Sequence, residues 1–259
     1  MRWVHSLGAA ALLATALWGQ AGELRTVHVF VALADNQHQG IVPVAPILGN
    51  GDDPQHNLYW GSAYGVKAFF SKSSDWERVT CTAKPKAEIL ERCVFKHRAE
   101  NVYLVADAYR GIEIKQAILD FLESAAGGGA ERLSLPGGAA PKRPIGEGAN
   151  LVAYVGHDGL MDFRLARFPQ QQNAAHRDAI ILACASKQFF SDALRASGAY
   201  PLIWTTGLMA PEAYTLKSAL DGWVAGQNND QIRDRAAGAY DKYQKCGFRA
   251  AHRLLTSGW

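Results

Sequence analysis

Five short runs of almost uninterrupted apolar residues constrain the fold of this chain more than any other feature. Each run has the length of a single strand, and polar loops or helix-like segments separate one run from the next. Strands that are apolar at nearly every position are typical of a parallel sheet that is buried on both faces. The runs occupy residues 27–34, 101–106, 150–156, 179–186 and 200–205.

Helix-like segments alternate with these apolar runs. Residues 112–124 have apolar side chains at the spacing of an amphipathic helix. This alternation predicts an α/β fold with a mostly parallel sheet covered by helices on both faces. Right-handed crossovers bring the carboxyl ends of all the parallel strands to one edge. Helical character also extends over residues 57–71, 189–197, 212–224 and 229–257, and a strand with its hairpin partner is expected within 76–95.

The N-terminus has the organisation of a cleavable leader. Arg2 supplies a positive charge, residues 7–18 are mostly apolar, and small residues precede a cleavage site after Ala21. An uncleaved anchor is the alternative. We therefore expect residues 1–21 to be a signal peptide and residues 22–259 to be a single α/β domain. We expect that domain to be exported, periplasmic or secreted, without stable membrane insertion.

The charge balance argues against a nucleic-acid partner. The chain has 27 Lys and Arg against 24 Asp and Glu, a net charge of +3, and no dense basic stripe. A stretch rich in Gly and Pro at residues 125–149 predicts a flexible surface loop within the one domain. The oligomeric state stays open.

Four cysteines divide into one natural pair and two others. Cys81 and Cys93 flank a short polar stretch, so we expect them to form a disulfide in an oxidising compartment. Cys184 and Cys246 are either both free or joined in a second disulfide. A second disulfide would remove Cys184 as a nucleophile.

Two of the apolar runs end on residues that can carry out chemistry. Residues 150–156 lead directly to His157, and the run that begins at residue 179 ends around Cys184. Open α/β sheets place their functional groups at the carboxyl edge, and a nucleophilic cysteine needs a base within reach. The sequence therefore predicts a Cys184–His157 dyad. The alternative is a turn histidine and a small buried core cysteine.

The residues around Cys184 resemble the nucleophile motif of legumain-like cysteine peptidases. The strand that ends at His157 is similar to the histidine strand of that family, and residues 201–206 are similar to the strand that follows the nucleophile. The wider relatives are caspase-like peptidases, so the resemblance implies a caspase/legumain-like three-layer sandwich. The motif residues are Ala183, Cys184, Ala185 and Ser186, followed by Phe189, Phe190 and Leu194, and then by Glu212 and Tyr214.

The resemblance also implies roles for further residues. Backbone N–H groups of Cys184 and of Gly159 or Asp158 would form the oxyanion hole, although Asp158 stands where the family has glycine directly after histidine. An orienting residue near the first strand would be Asn57 or Asp53. The arginine that the family has there is absent, so a pocket for asparagine is not implied. The substrate pocket would include Thr205, Thr206 and Glu212.

The implied function is acyl transfer on peptide bonds by an exported cysteine peptidase or transpeptidase. The substrate would be a peptide or a protein, and no cofactor or metal ion is expected. The alternative is an exported binding protein that keeps the peptidase-like fold without catalysis. The same residues would serve hydrolysis and transpeptidation, so the sequence does not separate these two outcomes.

Overall fold

A computed structural model describes residues 23–41, 43–129, 132–133, 143–144 and 148–259. The predicted leader at residues 1–21 lies outside the described residues. Most of the predicted flexible loop at 125–149 also lies outside them.

A mixed sheet of eight strands is the central element, and its order is β10-β9-β8-β7-β1-β4-β3-β2. The five strands from β9 to β4 in this order are parallel. The strands β3 and β2 continue one edge in antiparallel pairing, and β10 does so at the other edge. The prediction of an α/β fold with a mostly parallel sheet is therefore confirmed. The strands are β1 Arg25–Ala32, β2 Trp76–Ala83, β3 Ile89–His97, β4 Val102–Tyr109, β7 Leu151–Val155, β8 Asp178–Leu182, β9 Tyr200–Thr205 and β10 Leu255–Thr256, and a separate ribbon pairs β5 Arg132–Leu133 with β6 Arg143–Pro144.

Six α-helices accompany the sheet in the described part of the chain. None of them is long and apolar enough to cross a membrane. The helices are α1 Val66–Ser71, α2 Ile114–Ala125, α3 Ser186–Ser197, α4 Ala213–Val224, α5 Asn229–Gln244 and α6 Phe248–Leu254.

Two large hydrophobic clusters divide the side chains of the central strands. Val29 and Val31 of β1 belong to one cluster, whereas Phe30 between them belongs to the other. Side chains of α2 and α3 join the Phe30 cluster, and those of α1, α4, α5 and α6 join the Val29 cluster. Because successive side chains of a strand point to opposite faces, this division explains why the runs are apolar at every position. It is consistent with the predicted layers.

The predicted helix at residues 57–71 is much shorter in the structure. Only Val66–Ser71 is helical, and residues 57–65 form a series of turns. The turns approach one another closely, since a Cβ on Gly61 would lie 2.0 Å from the carbonyl oxygen of Gln55. Apolar residues at helical spacing therefore serve here to anchor a folded loop. The predicted helical region 229–257 also divides, because Lys245 adopts a left-handed conformation with φ of 55° that ends α5.

Candidate active site

His157 and Cys184 follow the ends of two neighbouring parallel strands at the same level. Val155, the last residue of β7, pairs with Leu182, the last residue of β8. Each of the two side chains stands two residues beyond that pair. The Gly156 N–H donates to the Leu182 carbonyl at 3.2 Å, so the two strand ends stay together one residue further. A parallel register thus delivers both side chains to the carboxyl edge of the sheet.

Both side chains line one cavity of about 290 Å³. The walls are mostly apolar and come from the loops after β1, β7 and β9. Glu212 also lines this cavity and brings a carboxylate to it. The apolar lining includes Ile41, Val44, Leu58, Met161, Leu208 and Met209.

Asp162 fixes the ring of His157. The Nε2 atom of His157 lies 2.7 Å from Oδ2 of Asp162, and that oxygen also accepts the Gly40 N–H at 3.0 Å. The His157 carbonyl accepts a hydrogen bond of 2.7 Å from the Tyr154 hydroxyl. A ring that donates from Nε2 to a carboxylate keeps the lone pair on Nδ1, which can then accept a proton.

A tight turn connects Cys184 to the helix α3. Ala185 caps the helix in a left-handed conformation with φ of 48°, which is costly for a residue with a Cβ. Side chains from β9 and α3 hold this turn, because the Ser186 N–H donates to the Thr205 hydroxyl at 3.1 Å. The sulfur of Cys184 accepts the Met209 N–H at 3.4 Å, and the thiol can donate to the Met209 carbonyl at 3.6 Å, so the loop after β9 holds the side chain in place.

The four cysteines are distributed as one disulfide and two thiols. Cys81 and Cys93 are bonded across β2 and β3. Cys184 and Cys246 are both free, with Cys184 half-buried and Cys246 exposed in the turn after α5. The structure therefore does not contain the alternative disulfide between Cys184 and Cys246.

The structure places Gly159 and Asp158, the predicted oxyanion-hole donors, at the start of the 3₁₀ turn that follows His157. Neither residue lines the cavity. The Gly159 N–H donates to the His157 carbonyl at 3.1 Å, and Gly159 begins a 3₁₀ turn that leads away from the strand end. The extra residue after His157 causes this difference, since Asp158 caps that turn through its side chain. Of the residues predicted to donate to the oxyanion, Cys184 is the one that lines the cavity.

The side chain of Asp158 points into the protein. It is fully buried, and its Oδ1 accepts the Leu160 N–H at 3.0 Å. Its Oδ2 has no hydrogen-bond partner among the described residues. Burial raises the pKa of Asp158 to about 7, and the nearby Asp162 carboxylate adds to this shift. Below that pH the buried carboxyl is neutral.

Asn57 and Asp53 do not orient His157. The Asn57 amide is fully buried and donates to the carbonyls of Ala34 and Asn50, at 2.8 and 3.0 Å. It therefore fixes the loop after β1. Asp53 pairs with His56 at 2.7 Å on the surface. The orienting role that we expected for Asn57 or Asp53 falls to Asp162, which sequence reasoning missed. The available signal was a carboxylate five residues after His157, close enough for one short turn to return it to the ring.

Of the three residues predicted for the substrate pocket, only Glu212 lines the cavity. Thr205 is fully buried, and its hydroxyl donates to the Ala183 carbonyl, so this residue supports the turn at Cys184. The Thr206 hydroxyl donates to the Arg253 carbonyl at 2.9 Å, which links β9 to α6. Both threonines lie next to the site without facing its cavity.

Comparison with known proteins found no matching family model, no matching curated protein and no matching solved structure. The resemblance of the Cys184 and His157 segments to legumain-like peptidases therefore stays a prediction from the sequence.

Proposed function

We propose that this chain is a cysteine peptidase or transpeptidase in which Cys184 is the nucleophile and His157 is the general base. One observation carries the proposal. Two residues beyond the paired ends of adjacent parallel strands, a cysteine and a histidine line the same apolar cavity. Apolar walls around the reacting groups strengthen the electrostatic interactions that acyl transfer requires.

The reaction would begin with transfer of the Cys184 proton to Nδ1 of His157. The thiolate then attacks the carbonyl carbon of a peptide bond, and the Cys184 N–H would donate to the developing oxyanion. The protonated His157 gives its proton to the departing amine as the C–N bond breaks. Water hydrolyses the thioester, or a second amine replaces water and gives transpeptidation. The Asp162 carboxylate, 2.7 Å from Nε2, supports the imidazolium through both steps.

The proposal includes the setting that the sequence predicts. The protein would be exported to the periplasm or secreted, would act on a peptide or protein, and would belong to the legumain-like peptidases of caspase-like fold. The disulfide between Cys81 and Cys93 supports an oxidising compartment.

A second candidate is a binding protein with the same fold and no catalysis. The position of Gly159 favours it, because that N–H bonds the His157 carbonyl and so leaves the predicted oxyanion hole with one donor fewer. A binding protein would still use the cavity but would not need a reactive thiol.

The rate of Cys184 alkylation by iodoacetamide tests the first proposal. We would measure it between about pH 5 and 9 in a Cys246→Ser background, so that Cys184 is the only free thiol. Fast labelling below about pH 7 that slows in His157→Ala is the expected result. His176→Ala is the matched control, since His176 is exposed and lies before β8 at the opposite edge. A rate that is the same in all three proteins would favour the binding protein.

A further inference from the structure

Glu212 is the one carboxylate among the described residues that line the cavity. It directly precedes α4, and its backbone is extended there. The rest of the lining is mainly aliphatic, and the other polar side chains in it are those of Tyr59, His157 and Cys184. Among the described lining residues, Glu212 is therefore the one anionic partner that the cavity offers to a cationic group of a ligand.

Neighbouring side chains hold the Glu212 carboxylate in one orientation. Its Oε2 accepts the Tyr214 hydroxyl at 2.9 Å and Nε2 of Gln244 at 3.4 Å. Tyr214 is itself stacked on Tyr243, with ring centroids 4.3 Å apart. Both hydrogen bonds end on Oε2, and Oε1 accepts none from the described residues. One oxygen is thus anchored and the other is left for a ligand.

No cation of the described chain compensates the charge of Glu212. Burial raises the pKa of this carboxyl, the Tyr214 hydrogen bond opposes that shift, and no Lys or Arg contributes. A half-buried carboxylate without a cationic partner is unfavourable, and a cation that arrives with a ligand removes that penalty. The cavity therefore combines an unpaired acid with apolar walls.

The side chains that match this combination are lysine and arginine. Each has an apolar stem that can cover aliphatic walls and a cationic head that can reach a carboxylate. A cavity of about 290 Å³ lies at the lower end of the range for ligand sites, which suits one side chain.

We propose that Glu212 makes this cavity the subsite for a lysine or arginine side chain on the acyl side of the bond that Cys184 attacks. This inference rests on the proposed function and names the substrate class of the same site. Glu212 would pair with the cationic head, and the aliphatic walls would hold the stem.

Peptidyl chloromethyl ketones that differ only at the residue next to the ketone test the subsite. Lysyl and norleucyl reagents have similar length, and only the former is charged. We expect the lysyl reagent to alkylate Cys184 at least about tenfold faster, a ratio that Glu212→Gln abolishes and Glu77→Gln preserves. Glu77 is an exposed acid on the edge strand β2 and serves as the control. Equal rates, or a preference for an asparaginyl reagent, would overturn the inference.

Two further measurements separate this inference from the proposed function. Iodoacetamide has no side chain, so labelling that depends on His157 without any lysyl preference would leave the peptidase and remove the subsite. Calorimetry with n-hexylammonium and n-hexanol needs no reactive thiol. Tighter binding of the cation that Glu212→Gln abolishes would support the subsite even if Cys184 is inert, and equal binding of both probes would refute it.

Discussion

Three carboxylates near the strand ends differ in burial and in hydrogen-bond partners. Asp162 is partly exposed and accepts hydrogen bonds from His157 and Gly40. Asp158 is fully buried with one oxygen that lacks a described partner. Glu212 is anchored through one oxygen and faces the cavity. Each environment predicts a different consequence of removing the charge.

Replacing Asp162 tests whether the His157–Asp162 pair activates the thiol. Asp162→Asn is expected to slow iodoacetamide labelling of Cys184 at least about tenfold at neutral pH, because the imidazolium loses its carboxylate partner. Asp192→Asn, a change in α3 away from the cavity, should leave the rate as it is. An unchanged rate in Asp162→Asn would mean that the pair only holds the loop.

Asp158 makes stability depend on pH in a defined direction. The unfolded chain releases this proton near the ordinary pKa of 3.8, and the folded protein releases it at about 7. Between these values the folded state holds the extra proton, so the contribution of Asp158 to the free energy of unfolding falls as pH rises. That loss is complete above about pH 7.

Asp158→Asn removes this titration while keeping the size of the side chain. From about pH 4 to 7, the variant should gain stability relative to the parent by up to about 4 kcal/mol, at about 1.4 kcal/mol per pKa unit. Urea unfolding of both proteins at several pH values measures the difference. Parallel pH curves would contradict the raised pKa.

Replacing Asn57 should lower the free energy of unfolding, because its side-chain amide forms hydrogen bonds with backbone groups of the loop after β1. Asn57→Ala would leave the buried Ala34 N–H without the acceptor that lies 3.0 Å away, at a cost of about 1–3 kcal/mol. Asn57→Asp keeps that acceptor but sets a carboxylate against the carbonyls of Ala34 and Asn50. Unfolding free energies that do not change in either variant would show that water replaces the amide.

At the scale of elements, the strands were predictable and the loops that complete the site were not. The run at residues 179–186 predicted β8, because a strand that is apolar at every position is typical of a parallel sheet covered on both faces. The position of Cys184 followed from that strand. Asp162 did not follow, since its contact with His157 depends on the 3₁₀ turn Gly159–Met161. The wall that residues 40–59 contribute to the cavity was not predicted either, because a sequence typical of a loop does not show which strand end the loop covers.

The turn between β8 and α3 gives a prediction about backbone strain. Ala185 has φ of 48°, a conformation that glycine adopts without penalty. Ala185→Gly should therefore raise the free energy of unfolding by about 0.5–1 kcal/mol, the left-handed penalty less the entropy that glycine adds to the unfolded chain. Ala183→Gly is the control and should destabilise, since Ala183 is fully buried before the turn. Equal losses in both variants would show that Ala185 is unstrained.

At the scale of the whole molecule, the site and the disulfide lie in different parts of one sheet. Three strands, β7, β1 and β4, separate β8 from β3 in the sheet order. The cavity is assembled from the loops after β1, β7 and β9 together with the turn at Cys184. The disulfide therefore contributes to global stability, and the site depends on the central strands.

Removing the disulfide should separate these two properties. Cys81→Ala with Cys93→Ala opens a loop of 12 residues, and the chain-entropy model gives a loss of about 3 kcal/mol. Labelling of Cys184 in the folded protein should keep its dependence on His157. Urea unfolding and iodoacetamide kinetics on the same samples check both statements, and loss of the His157 dependence in folded protein would refute the second.

The disulfide between Cys81 and Cys93 lies within a single hairpin in the N-terminal half of the chain. Cys81 and Cys93 face each other across β2 and β3, which are consecutive strands, so their pairing needs only residues 76–97. Synthesis proceeds from the N-terminus, and this hairpin is complete long before residue 184 is added. When Cys184 and then Cys246 emerge, both earlier sulfurs can already be joined to each other. A bond formed at that stage would leave neither Cys81 nor Cys93 free to pair with Cys184.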